Sequence, residues 1–112
     1  MNDLVRPAMY GDWHGILPVS AIDATAPLSA ADVVGPVCES GDTFARSRLL
    51  PPLAPGARVA ILDSGAYGAV MSSAYNARPR AAEVMVDGDA WTVIRARQTH
   101  EDLWTGEVVP IP

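Results

Sequence analysis

Apolar positions along this chain come in short runs that stop at glycine and proline, and they do not recur at helical spacing over any long stretch. Ile16-Leu17-Pro18-Val19 predicts a strand over residues 16–20, and Pro18 marks it as an edge or a bulge because proline brings no N–H to a ladder. Val33, Val34 and Val37 predict a second, buried strand end. A third strand follows the Pro55-Gly56 turn, over Arg58-Val59-Ala60-Ile61-Leu62. Ala82–Val86 and Trp91–Arg95 flank Asp87-Gly88, which predicts a hairpin.

The segments between these runs are more polar or richer in turn residues. Residues 21–31, rich in Ala, Pro and Ser, predict a loop too short for an interdomain linker. Thr43–Arg48 is polar and basic and leads through Leu49-Leu50-Pro51-Pro52-Leu53 to the Pro55-Gly56 turn, while 71–80 is turn-rich. Met1–Tyr10 predicts a loop feeding a short helical turn, with Pro7 suited to its first position. Thr99 and Asp102 have the spacing of a capping box, which predicts a brief helix through Leu103 and Trp104. Five to seven short strands with little helix define an all-β fold, a Greek-key barrel or sandwich-like domain with short helical turns.

Composition limits what such a domain does alone. At 112 residues it is one domain, 1–112, with room for a modest core. The net charge of −5 argues against nucleic acid as a partner, since no basic stripe meets phosphates. No apolar run is long enough for a membrane-spanning helix, and the first residues do not resemble a signal peptide, so a cytoplasmic location is expected. The single cysteine forms no internal disulfide, and with two distant histidines it makes a poor zinc set. All eight basic residues are arginines. Without lysine, the chain has no side-chain amine to hold a cofactor as a Schiff base.

Candidate chemistry gathers at Gly35-Pro36-Val37-Cys38-Glu39-Ser40-Gly41-Asp42, where the only cysteine stands beside a carboxylate at a turn. Free cysteine is also among the most buried residue types, and by composition alone Cys38 reads more readily as a small packing residue. Arg6 and Tyr10, four apart on a helical turn, share a face and form a fork suited to a carboxylate; a surface arginine beside a core tyrosine is the plainer alternative. Tyr67 lies between Gly65 and Gly68, where backbone approaches a ligand closely or simply turns at the end of a strand. His14 reads as a structural hydrogen-bonding residue, Arg78-Pro79-Arg80 as a loop tether, and His100 as a solvated residue of a first turn.

Three motifs carry a resemblance. Cys38-Glu39-Ser40-Gly41-Asp42, Gly65-Ala66-Tyr67-Gly68 and Met71-Ser72-Ser73-Ala74-Tyr75-Asn76-Ala77-Arg78-Pro79-Arg80 together are similar to the carboxyl-terminal domain of diaminopimelate decarboxylases, and Asn2-Asp3-Leu4-Val5-Arg6-Pro7-Ala8-Met9-Tyr10 matches the same family. These enzymes are pyridoxal 5'-phosphate (PLP) dependent, of the alanine racemase and ornithine decarboxylase fold type. The resemblance implies a Greek-key β-barrel domain. It also implies a separate (β/α)8 barrel bearing the cofactor lysine, and a match of Met1 to an internal position, so that this chain is expected to be a fragment inactive by itself.

The activity implied is decarboxylation of meso-diaminopimelate to L-lysine, the last step of lysine biosynthesis, in a homodimer whose Cys-Glu loop enters the neighbour's pocket. Cys38 is then the proton donor, since thiols carry their proton at neutral pH. Glu39 takes the distal ammonium of the substrate, Arg6 and Tyr10 its distal carboxylate, and Tyr67 lies against cofactor and substrate. Two other readings stay open: a sibling decarboxylase acting on a basic amino acid or a carrier-linked substrate, and a β-barrel interaction module without catalysis.

Overall fold

A computed structural model describes residues 11–21, 23, 25–65 and 68–111. Six strands follow in chain order: β1 (Ile16–Pro18), β2 (Ser29–Val34), β3 (Thr43–Leu50), β4 (Val59–Ile61), β5 (Glu83–Asp87) and β6 (Ala90–Arg95). Three single turns of 3-10 helix, Ala69–Met71, Tyr75–Ala77 and Glu101–Leu103, complete the regular structure among the described residues. The strands pair as three antiparallel two-stranded ladders, β1 with β4, β2 with β3 and β5 with β6. The fold is therefore all-β with short helical turns, and no closed barrel forms among the described residues.

The β1–β4 ladder sets Ile16 opposite Ile61 and Pro18 opposite Val59. Proline at the end of a three-residue strand withholds no bond from a longer ladder, which is why it is tolerated there. The pairing continues past Ile16: Leu62 N donates to Gly15 O at 2.8 Å, and the ring Nδ1 of His14 lies 3.0 Å from Leu62 O. His14 is thus a structural hydrogen-bonding residue, as its isolation in the sequence suggests. Arg48 adds a second brace from β3, donating to His14 O at 3.0 Å while its guanidinium stacks 4.3 Å above the Trp13 ring.

Two expectations fail in the β2–β3 hairpin. Residues 29–31 belong to β2, not to a loop, and the strand end is not buried, since β2 stops at Val34, which is 61% exposed, and Val37 lies in the loop beyond it. The polar stretch from Thr43 is the longest strand. Ala31 faces Arg48, Val33 faces Ala45 and Val34 faces Thr43, so the register slips twice within a few residues. Ser47 sits at φ 49 inside this irregular stretch, and its N–H is taken by Asp32 Oδ1 at 2.7 Å. Such bulges bend and twist a hairpin, and they commonly stand beside functional loops. The hairpin tip here is the 35–42 loop.

The β5–β6 hairpin follows the sequence closely, with one shift. Asp87 pairs with Ala90, so the turn residues are Gly88 and Asp89. Gly88 has φ 58, at the first central position where a type II′ turn carries its glycine. Glu83 and Arg95, opposite one another at the open end, form an ion pair at 2.5 Å. Behind this hairpin, Gln98 N donates to Arg80 O at 3.1 Å and Arg80 N donates to Gln98 Oε1 at 3.0 Å. The Arg78-Pro79-Arg80 segment is therefore tethered through its backbone.

The capping box also forms. Thr99 N donates to Asp102 Oδ2 at 2.7 Å, and Asp102 N lies 3.3 Å from Thr99 Oγ1. The helix it opens is only the 3-10 turn Glu101–Leu103. Thr99→Ala is expected to cost about 1 kcal/mol of stability, read as a lower midpoint of urea unfolding with unchanged slope.

The buried apolar core among the described residues is small, centred on Ile16 (4% exposed) and Leu50 (6%). In contrast Val86 is 70% exposed and Trp91 69%, on a hairpin whose two faces are both open. The chain exposes 8360 Å², against roughly 5900 Å² for a folded monomer of this mass. Its radius of gyration is 17.0 Å, where about 13 Å is usual for the length. Apolar faces in such excess mark surfaces that another body covers.

Candidate functional site

The 35–42 loop is built from its own ends. Gly35 N donates to Asp42 O at 2.9 Å, which closes the loop at its base next to the Val34–Thr43 pair. Inside it, Glu39 N donates to Val37 O at 2.8 Å, a three-residue turn with Cys38 at its centre. Asp42 N then donates to Glu39 O at 3.0 Å, and Thr43 Oγ1 lies 3.4 Å from Ser40 O. This backbone pattern leaves Cys38 exposed and Glu39 half-buried beside it. Exposure decides against Cys38 as a small packing residue: no apolar contact is gained by a thiol held at the apex of a turn.

A thiol and a carboxyl group, adjacent on a loop with fixed backbone, are suited to passing a proton to a bound molecule and to pairing with a cationic group on it. The other expected site residues, Arg6, Tyr10 and Tyr67, lie outside the described residues. The structure does describe the frame of Tyr67. Ala69 N donates to Ser64 O at 2.8 Å, and Ser64 Oγ donates to Ile61 O at 3.1 Å, so the turn after β4 folds back on the strand that delivers it.

Clefts open at several places among the described residues. One lies between β4 and the β5–β6 hairpin, with Ser64, Glu83 and Arg95 on its walls. Another runs along β3 beside Trp13. A further cleft is basic, with Arg78, Arg97 and His100. The Cys38 loop stands at the tip of the β2–β3 hairpin with its thiol exposed. No group of three or more histidine, cysteine or acidic side chains among the described residues is arranged to hold a metal ion.

The chain contains no lysine, and its helical segments among the described residues are three-residue turns, too short to offer a helix N-terminus to a phosphate. Sequence reasoning missed Asp42 as a structural member of the loop. The signal was present as a glycine and an acid closing the two ends of a turn, but only coordinates show the carboxylate turned inward.

Residues 1–65 match the family model for the C-terminal sheet domain of pyridoxal-dependent decarboxylases, and the chain belongs to that family. Within it, the chain is 50% identical over 109 residues to the diaminopimelate decarboxylase of Archaeoglobus fulgidus, covering 97% of this chain and 26% of that protein. Among solved structures it is similar to the diaminopimelate decarboxylase of Helicobacter pylori complexed with L-lysine, at 46% identity and a TM-score of 0.83, covering 94% of this chain and 25% of that one. The enzyme from M. jannaschii in co-complex with L-lysine matches at 38% identity and a TM-score of 0.88, over 98% of this chain and 25% of that one. The chain spans about a quarter of the length of the relatives it matches.

Proposed function

We propose that this chain is the Greek-key β-barrel domain of a diaminopimelate decarboxylase, and that it supplies the proton donor and part of the substrate site for converting meso-diaminopimelate to L-lysine and carbon dioxide. The observation that carries this reading is the Gly35–Asp42 loop, which holds an exposed thiol and a carboxylate side by side at the tip of a bulged hairpin. The relatives named above support the substrate. The unusually large exposed surface supports docking on a second domain, a (β/α)8 barrel carrying the cofactor lysine that this chain lacks. A homodimer in the cytoplasm is the expected assembly, with the loop completing a pocket it does not itself enclose. No helix of the described residues is long and apolar enough to cross a membrane.

When bound on that barrel, pyridoxal phosphate supplies the electron sink for loss of a carboxylate. This chain's own residues do the rest. As carbon dioxide leaves, Cys38 Sγ–H gives its proton to the substrate α-carbon, and the thiolate regains a proton from solvent, so each turnover takes up one proton. Glu39 accepts a hydrogen bond from the distal ammonium, and Arg6 and Tyr10 donate to the distal carboxylate. A simple amino acid leaves that arginine without its partner, at a cost of roughly 1–3 kcal/mol, which is how the site refuses it.

The test is complementation. This chain is mixed with a separately expressed cognate barrel domain, pyridoxal phosphate and meso-diaminopimelate, and lysine and carbon dioxide are assayed. Equimolar lysine and carbon dioxide are expected from the mixture and from neither part alone. A stable, cofactor-loaded mixture that forms no lysine would refute the substrate assignment.

A further inference from the structure

Asp42 is 3% exposed, a buried acid in a chain whose buried residues are otherwise few. Three of its four polar groups bind within the loop it closes. Its carboxylate Oδ2 accepts the Val37 N–H at 2.8 Å, its carbonyl accepts the Gly35 N–H at 2.9 Å, and its own N–H donates to Glu39 O at 3.0 Å. One residue therefore grips the backbone on both sides of Cys38. The carboxylate also has a seat made for it: a Cβ at Gly35 would overlap both of its oxygens. Glycine at 35 and aspartate at 42 are two halves of one clasp.

We propose that Asp42 is a positioning residue for the proton transfer, acting through the Val37 and Glu39 backbone to fix where Cys38 Sγ and the Glu39 carboxylate sit. This rests on the reading of those two side chains as the reacting and binding groups. An exposed thiol at the centre of a three-residue turn has no packing of its own to orient it. Its direction is inherited from the residues before and after it, and Asp42 holds one backbone group of each, Val37 N–H and Glu39 O. A neutral acceptor of the same shape keeps part of the function, because one carbonyl oxygen suffices to take the Val37 N–H. Removal of the carboxylate leaves a part-buried donor unmet and frees the turn.

Two measurements decide it. Hydrogen exchange at the Val37 amide, followed by NMR on the full 112-residue chain, is expected to be slow in the wild type and in Asp42→Asn, and about 10- to 100-fold faster in Asp42→Ala. Gly35→Ala, which keeps the acid but displaces it from its seat, is expected to speed the same amide. Exchange at the free-amide rate in the wild type overturns the clasp.

In the complemented enzyme, Asp42→Ala is expected to lower kcat by about 100-fold when Cys38 is present, with Asp42→Asn recovering most of it. In a Cys38→Ala background the same change is expected to cost less than about threefold, because a residue that acts through the thiol has nothing left to position. Equal losses in both backgrounds overturn the positioning role. If the wild-type mixture makes no lysine, the decarboxylase reading fails and the amide exchange still decides the clasp.

Discussion

Cys38→Ala is expected to lower lysine formation by the complemented enzyme by about 10²- to 10⁴-fold, the usual contribution of a positioned general acid. The loss should fall on kcat, with KM for meso-diaminopimelate little changed, because the thiol proton is transferred only as the new C–H bond forms. Glu39→Gln provides the contrast. It keeps the size of the side chain and removes the charge that meets the distal ammonium, so its effect should appear mainly in KM. The loop backbone is expected to survive Cys38→Ala, since its hydrogen bonds run between Gly35, Val37, Glu39 and Asp42 and none involves the thiol. A variant that keeps more than about a third of the wild-type kcat would remove Cys38 from the chemistry, because a positioned general acid typically contributes about 10²- to 10⁴-fold.

What the sequence shows of this fold depends on whether one strand's pattern is continuous. The β5–β6 hairpin is legible because its two runs flank a glycine turn without interruption, and only the turn position moved by one residue. Strand β3 is hidden for a specific reason. Thr43 and Ala45 face inward on odd positions, while Arg48 and Leu50 face inward on even ones, and the bulge at Ser47 absorbs the extra residue. A period of two that changes phase halfway looks like a polar connection. An inward-leaning Arg48 adds to the disguise, because its role is to brace His14 O and stack on Trp13, not to face solvent. The β1–β4 pairing is not legible at all from spacing, since it joins two short edges across a large gap in the chain.

The site is legible in a different way. Cys38 and Glu39 are conspicuous as residue types at a turn, and the thiol is exposed there. Asp42 is not conspicuous, because an acid after Ser-Gly reads as one more solvated turn residue. Its burial reverses that reading. Side-chain chemistry can be picked out of a sequence by type, whereas the groups that hold it in place are recognised only by where their atoms point.

The two glycines around Tyr67 give the sharpest contrast of this kind. In the sequence Gly65 and Gly68 are equivalent punctuation, yet Gly68→Ala is expected to be severe and Gly65→Ala nearly neutral. A Cβ at Gly65 meets nothing within 4 Å. At Gly68 it would overlap Ser64 O and approach Ser64 C to 2.7 Å. Those are backbone atoms, and Ser64 O is already bound by Ala69 N at 2.8 Å, so relief requires opening the turn and not a rotamer change. Overpacking that backbone must absorb costs about 3 kcal/mol, which in a domain of this size lowers Tm by roughly 10–20 °C. Thermal unfolding of the two single variants checks the stability half of the expectation. The activity half follows from chain order: Tyr67 precedes Gly68 directly, so a turn forced open there moves the phenol expected against the substrate, and kcat/KM in the complemented enzyme should fall with Gly68→Ala and hold with Gly65→Ala. Equal tolerance at both positions would mean that the turn after β4 accommodates a side chain freely, and the close approach of Gly68 to Ser64 would then carry no functional weight.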